Sequence, residues 1–214
     1  MFRYLIFDLD NTLYPKEAGL LDEINRQIDL YIGQKTNIPK SKIPKIRLDY
    51  CQKYGTTLGG MVVHHKIDPK EYFRDAYNIN IADYLKPDPA QAKILEGLNL
   101  KKVVFSNSPL EYVEEVLDTL GIKDQFEKIY DIYFCNLVGK PNLSSYNQVL
   151  ADLGIEGNEC LFIDDMPSNV LGGEAAGITS ILIGEGPVSN ISWVISNLAE
   201  LPMIISQIKD KLTA

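Results

Sequence analysis

Four large apolar residues in a row, Tyr4-Leu5-Ile6-Phe7, stand near the start of the chain and are followed at once by Asp8, Asp10, Asn11 and Thr12. An unbroken apolar run of this length predicts a short strand buried on both faces, as in a parallel sheet. The strand rhythm then stops. Leu20, Leu21, Ile24, Ile28, Tyr31 and Ile32 recur at three and four residues, which predicts an amphipathic helix over 19–34. Ile43, Ile46, Tyr50 and Tyr54 suggest a second, weaker one, and Gly55, Gly59 and Gly60 make 55–60 a flexible loop or a short broken helix. Asp68-Pro69-Lys70-Glu71 carries an N-cap, a proline at the first helical position and a glutamate three residues after the cap, and so opens another helix. Lys86-Pro87-Asp88-Pro89 closes this helical block.

Beyond it the pattern alternates. A helix over 89–97 leads to an apolar strand over 101–105, and Ser108-Pro109-Leu110-Glu111 reads as a capping box for a helix through Val113, Val116, Leu117 and Leu120. Gly121 stops that helix. A strand over 129–134, a helix over 143–153, a strand over 160–163, a helix over 168–176 and a strand over 179–183 follow. Alternation at this spacing predicts an α/β fold with a parallel sheet covered on both faces. Residues 1–15 and 88–214 would form the core, and 16–87 an insertion between the first strand and the first crossover helix.

Composition narrows the partners. Of 214 residues 45% are hydrophobic and 23% charged, ordinary for a globular protein, and 21 Lys plus Arg against 29 Asp plus Glu give a formal charge of -8. A net acidic chain with no basic run speaks against nucleic acid or an anionic membrane as the main partner, so an anionic ligand needs a local device such as a metal ion, a lysine or a helix N-terminus. Cys51, Cys135 and Cys160 are odd in number and far apart, suggesting core thiols in a reducing cytoplasm rather than disulfides or a zinc site. The chain opens on a strand with no basic region before a long apolar run, so no signal peptide is expected. The apolar stretch 191–208 is broken by Ser192, Asn197, Glu200 and Pro202, which excludes a membrane span there.

Candidate chemistry collects where each predicted strand ends. In an open parallel sheet ligands bind beyond the carboxyl ends of the strands. The first strand delivers Asp8 and Asp10, the second Ser106 and Asn107 ahead of a helix N-terminus, and the fourth Asp164 and Asp165. The third is followed by Gly139-Lys140-Pro141. Singly, each has a dull explanation: an acidic turn, a helix cap, a solvated lysine. Together they converge on one edge of a sheet predicted without them.

These residues make the chain resemble the haloacid dehalogenase superfamily. DxDxT appears as Asp8, Asp10 and Thr12, the hydroxyl after the second strand as Ser106, the lysine as Lys140 and the paired acids as Asp164 and Asp165. The resemblance implies a Rossmann-like core with an inserted helical cap, and phosphoryl transfer rather than dehalogenation, because true dehalogenases lack the second aspartate of the first motif. It further implies Mg2+ held by Asp8, Asp164, Asp165 and the backbone carbonyl of Asp10, a set of oxygen ligands suited to that ion. Asp8 would be the nucleophile, forming an aspartyl phosphate once a cation offsets charge repulsion. Asp10 would be the acid and base, held by Thr12. Ser106 and the Asn107 amide would bind the phosphoryl oxygens, with Thr12 counted in the same phosphate-binding set, and Lys140 would offset their charge. Asn169 could orient Lys140 or metal-bound water, or simply cap a helix. Tyr14-Pro15 marks the exit toward the cap.

Within the superfamily, 53–87 is most similar to the pyrimidine 5'-nucleotidase branch, through Tyr54-Gly55-Thr56-Thr57-Leu58-Gly59-Gly60, His65-Lys66-Ile67-Asp68, Glu71-Tyr72 and Asp83-Tyr84-Leu85-Lys86-Pro87-Asp88. Candidate specificity residues are therefore Tyr54, Thr56, Thr57, His64 and His65. That branch often carries an arginine where this chain has Gly59, a departure that either weakens the nucleotide assignment or shifts the grip on substrate to Lys53, His64 or His65. The expected activity is hydrolysis of a small phosphomonoester, foremost a pyrimidine nucleoside 5'-monophosphate. A sugar phosphatase, a phosphoglycolate phosphatase or a phosphomutase would use the same residues, and a phosphate- or metal-binding regulatory module is the non-enzymatic alternative. The chain leaves monomer and homodimer open.

Overall fold

The computed structural model describes residues 1–213. Among them six strands, β1 (Tyr4–Phe7), β2 (Lys101–Phe105), β3 (Lys128–Tyr130), β4 (Cys160–Asp164), β5 (Thr179–Ile183) and β6 (Val194–Ile195), form one sheet. It is parallel throughout and ordered β3-β2-β1-β4-β5-β6, the arrangement of a Rossmann-like fold. The first strand of the chain lies in the middle, with crossovers departing toward β2 on one side while β4 continues to β5 on the other. That divergence opens a crevice at the carboxyl end of β1.

Period-two alternation sends successive side chains of each strand to opposite faces. Leu5, Phe7, Val104, Leu161, Ile163 and Ile181 pack on one side with α5 (Pro89–Gly97), α6 (Leu110–Leu120) and α9 (Leu201–Thr213). Tyr4, Ile6, Val103, Phe105 and Phe162 pack on the other, with Tyr146 and Val149 of α7 (Leu143–Leu153). Both faces are dry because both are covered, which explains why β1 reads as an unbroken apolar run instead of an alternating one.

The insertion comprises α1 (Leu20–Lys35), α2 (Ile43–Tyr54), α3 (Thr57–His65) and α4 (Pro69–Ala76). Arg47 ties α2 to α1 by donating to Asp29 at 2.7 Å and to the Asn25 side chain at 2.5 Å, and Lys35 pairs with Glu71 of α4. Its buried residues, among them Leu20, Ile24, Tyr31, Met61, Tyr72 and Phe73, belong to the same apolar cluster as one face of the sheet. Edge-to-face pairs between Tyr77 and Tyr112 and between Phe73 and Tyr133 close the seam.

Three expectations change. The 55–60 loop shrinks to Gly55 and Thr56, because Thr56 Oγ1 accepts from Gly59 N and starts α3 at Thr57. Ser108 does not cap α6: its hydroxyl donates to Asp10, and Asp131 accepts from Leu110 N in its place. The strand over 129–134 ends at Tyr130, since Asp131 also accepts from Phe134 N and turns the chain. The stretch over 191–208 supplies β6 and part of α9, whose Leu201, Ile204, Ile205 and Ile208 bury one helical stripe. Among the described residues no helix is long and apolar enough to cross a membrane.

Candidate active site

Register sets the site. Phe7 pairs with Val104 on one side and Ile163 on the other, so the residues one step on, Asp8 and Asp164, lie side by side at the carboxyl edge. Asp8 N still donates to Ile163 O at 2.9 Å and Ser106 N to Tyr130 O at 2.9 Å, fixing both positions before the ladder ends. Asp8, Asp164 and Asp165 bring one carboxylate oxygen each within 4.8 Å of one another.

Lys140 enters this acidic group from the loop after β3. Its Nζ donates to Asp8 Oδ1 at 2.6 Å and to Asp164 Oδ2 at 2.7 Å, with only 1% of the side chain exposed. The loop is aimed by Asn107, whose side chain accepts from Lys140 N at 2.8 Å and donates to Lys140 O at 2.9 Å. Gly139 makes that approach possible: a Cβ there would lie 2.2 Å from Asn107 Oδ1. Burial works against the Lys140 charge, and the Asp164 and Asp8 carboxylates outweigh it, holding the ammonium above its ordinary value. Asn169 donates to both oxygens of Asp164, at 3.0 and 3.1 Å, so it orients that carboxylate and not Lys140 itself.

Around Asp10 the structure departs from expectation. Thr12 does not hold it; Thr12 is 3% exposed and its Oγ1 finds no hydrogen-bond partner. Tyr14 and Tyr112 donate to Asp10 Oδ1 at 2.5 and 2.7 Å, and Ser108 donates to Oδ2 at 3.1 Å. The chain turns on itself so that Tyr14 comes back to Asp10, while α6 starts at the same edge and carries Tyr112 in its first turn. Phenols four residues on and at a helix start beyond the second strand end are the signals that sequence reading passes over. Burial and the nearby Asp8 charge push the Asp10 carboxyl up, against these three donors.

The phosphate-binding candidates divide. Ser106 is buried and its Oγ accepts from Ser108 N at 3.1 Å, so its proton is available to a ligand oxygen. The Asn107 carboxamide is spent on Lys140, which leaves its main-chain N–H as the group able to meet a phosphoryl oxygen.

A cavity of about 200 Å3 separates this edge from the helical insertion, with Asp10, Asn107 and Ser108 on one wall and Thr56, Thr57, Tyr72, Phe73 and Tyr77 on the other. Thr56 and Thr57 thus face the site. Tyr54, His64 and His65 do not line it; they satisfy one another across α2 and α3. Tyr54 pairs with His64 at 2.7 Å, Tyr50 with His65 at 2.9 Å, and His64 stacks on Tyr50. Gly59 is also accounted for, since a Cβ there would sit 2.9 Å from Tyr54 Cβ and 3.0 Å from Tyr54 O. A larger cavity of about 690 Å3 lies on the far side of the β1 turn and reaches Asp165, yet Asp8, Asp10, Ser106 and Lys140 are absent from its walls.

The donor set fits a hard divalent cation. Asp165 gives one oxygen to Asn11 at 3.2 Å, and burial together with the Asp8 charge lifts its carboxyl to about 6. Three carboxylates around one lysine retain negative charge that a cation would relieve. Without metal, a carboxyl lifted from 3.8 to about 6 on folding binds more protons in the folded chain, so its contribution to stability is lost as pH rises through that window. Metal-free Asp165→Asn should therefore be more stable than wild type at pH 7 by about 2 kcal/mol, allowing for partial exposure. In urea titrations the gap should close near pH 4; a gap constant with pH would exclude this origin.

With the geometry established, likeness to known proteins is informative. Phosphate metabolism protein 8 of Saccharomyces cerevisiae is 23% identical over 84% of this chain, which spans 61% of the length of that protein. A phosphoglycolate phosphatase of Haemophilus influenzae is 26% identical over 95% of this chain and 98% of its own. Among solved structures, β-phosphoglucomutase of Clostridium difficile superposes with a TM-score of 0.67 at 18% identity over 100% of both chains. L-2-haloacid dehalogenase of Xanthobacter autotrophicus gives 0.64 at 18% identity over 96% of this chain and 99% of that one, so the fold is shared across different chemistries. The haloacid dehalogenase-like hydrolase model matches residues 2–177, which takes in Asp8, Asp10, Ser106, Lys140, Asp164 and Asp165, and the chain belongs to that family.

Proposed function

We infer that this protein is a magnesium-dependent phosphomonoesterase whose leaving group is an uncharged alcohol, foremost a pyrimidine nucleoside released from its 5'-monophosphate. The observation that carries the activity is the pairing of Asp8, buried against Lys140, with a second carboxyl at Asp10 that lines the cavity next to it. In this reading Asp8 attacks phosphorus, and Asp10, which lines the cavity, protonates the departing alcohol. Ser106 and the Asn107 N–H can receive phosphoryl oxygens, and Lys140 stabilises the charge that gathers on them. Mg2+ held by Asp8, Asp164, Asp165 and the Asp10 carbonyl would offset the repulsion between a carboxylate nucleophile and a dianionic ester.

The helical insertion is read as the cap that selects the substrate. None of the described residues lining the cavity is Lys, Arg or His; the walls are aromatic and aliphatic, with hydroxyls from Thr56, Thr57 and Ser108. A flat, neutral group fits such walls: Tyr72, Phe73 and Tyr77 offer ring faces and edges, and the hydroxyls offer hydrogen bonds. A second carboxylate or phosphate would be desolvated there without a counter-charge, and next to Asp10.

The competing reading is a phosphoglycolate phosphatase, which the name of the Haemophilus influenzae relative favours. Phosphate release in magnesium, scanned over nucleotides, sugar phosphates and phosphoglycolate, separates the two. We expect kcat/KM for UMP or CMP to exceed that for phosphoglycolate by about 100-fold, the scale set by an unpaired buried charge. A preference for phosphoglycolate would overturn the substrate assignment. No turnover of any ester would overturn the enzyme itself and favour a regulatory phosphate- or metal-binding module. Phosphate moved to another hydroxyl, with none released, would mark a mutase.

A further inference from the structure

Asp10 is held by more than its place in the turn. Tyr14 and Tyr112 are buried, reach it from different elements and donate to the same oxygen, Oδ1, at 2.5 and 2.7 Å. Their hydroxyl oxygens lie 3.2 Å apart, and because each phenol has one proton, two bonds to Asp10 leave none for the bond between them. Ser108 donates to Oδ2 at 3.1 Å. A carboxylate offers about four lone-pair sites, two on each oxygen. Three are filled by these donors, and the fourth is on Oδ2.

We propose that Tyr14 and Tyr112 are positioning residues that clamp Oδ1 of Asp10 and so confine its transferable proton to Oδ2, facing the leaving group. This rests on the phosphomonoesterase reading. A proton on Oδ1 would collide with two phenolic hydrogens, so protonated Asp10 carries it on Oδ2. When Asp8 attacks, the new bond joins its oxygen to phosphorus, and the bond from phosphorus to the ester oxygen breaks. The electron pair stays with that oxygen, which takes the Oδ2 proton and departs as an alcohol. In the second half, water attacks phosphorus and gives a proton to the same Oδ2, and the Asp8 carboxylate is restored as phosphate leaves. Neutral donors suit this cycle because they fix the carboxyl without cancelling its charge; a lysine in their place would hold it ionised.

The clamp is rigid. Tyr112 packs edge-to-face on Tyr77, whose ring centroid is 5.1 Å away, and both clamp rings lie in the apolar cluster that joins the sheet to the insertion. Neither phenol lines the leaving-group cavity. Phenylalanine keeps both rings, including the contact of the Tyr112 ring with Tyr77 on the cavity wall, so loss of the hydroxyls acts through Asp10 and has a signature that loss of packing would not produce.

The experiment compares Tyr14→Phe, Tyr112→Phe and the double variant with wild type, using kcat/KM for two esters and thermal midpoints as a check on folding. One ester is the best alkyl phosphate from the substrate screen, whose alkoxide must be protonated as it leaves. The other is p-nitrophenyl phosphate, whose phenolate leaves without a proton. kcat/KM reports the steps up to alcohol release, before water acts. Each single variant should lose about 10-fold on the alkyl ester and the double about 100-fold, within the range of a misplaced general acid, while p-nitrophenyl phosphate falls by less than about 3-fold. Equal losses on the two esters, or none on either, overturn the clamp while leaving the phosphatase intact. If the double variant does not fold, the ratio in the single variants decides alone. A wild type that hydrolyses neither ester overturns the phosphatase reading and the clamp with it.

Discussion

Asp8→Asn is expected to lower phosphate release by more than about 10,000-fold while the fold survives, the scale expected for loss of a covalent nucleophile. The side chain keeps its size, and a carboxamide oxygen can still accept from Lys140 as Asp8 Oδ1 now does at 2.6 Å. Packing around it is set by the strand registers of β1, β2 and β4, which the substitution does not touch. Asp8 also belongs to the cluster assigned to the metal, so a loss of rate alone would not separate attack from metal binding. Acid-quenched wild type incubated with substrate should carry one added phosphoryl group on the peptide containing Asp8, and the variant none. Residual turnover within tenfold of wild type, or an adduct on another residue, would contradict the covalent role.

Lys140→Met should cost both stability and rate. The methionine can fill much of the volume between Phe105 and Phe162, over whose rings the ammonium now lies at 5.1 and 5.2 Å from the centroids. It cannot answer the Asp8 and Asp164 carboxylates, and breaking a buried ion pair from one side costs about 3–5 kcal/mol. For a chain of this length that lowers Tm by roughly 10 °C. Burial already pushes Asp164 upward against the pull of Lys140, so without the lysine this carboxyl should take up a proton near neutral pH. Divalent cation should recover part of the lost stability by supplying the missing charge, while kcat stays about 1000-fold down because a fixed donor on the phosphoryl group is gone. An unchanged Tm in the metal-free variant would show that Lys140 does not balance these acids.

The balance between the two readings of Lys140 is instructive. A lysine after a strand is usually solvated, and its loop position gives no hint of a side chain that is 1% exposed. What buries it is Gly139, where only hydrogen fits beside Asn107, together with the two hydrogen bonds between the Asn107 side chain and the Lys140 backbone, one accepted and one donated by the carboxamide. These contacts link residues 33 positions apart, which no local pattern encodes. The same holds for His64 and His65: adjacent histidines in the cap read as substrate-specificity residues, and the tyrosines of α2 that absorb them become visible only when α2 and α3 pack.

By itself the sequence determined the alternation of strands and helices, the parallel sheet, the helical insertion and the convergence of Asp8, Asp10, Ser106, Lys140, Asp164 and Asp165. It could do so because apolar periodicity is a local property, and because strand order obliges the residues after each strand to share one edge. Tertiary structure alone decided which groups hold which. Asp10 is served by Tyr14, Tyr112 and Ser108 in place of Thr12, and Asn107 serves Lys140. Thr56 and Thr57 reach the cavity that Tyr54, His64 and His65 do not. Those choices depend on distances of about 3 Å between residues as many as 102 positions apart, fixed by packing and not by spacing along the chain.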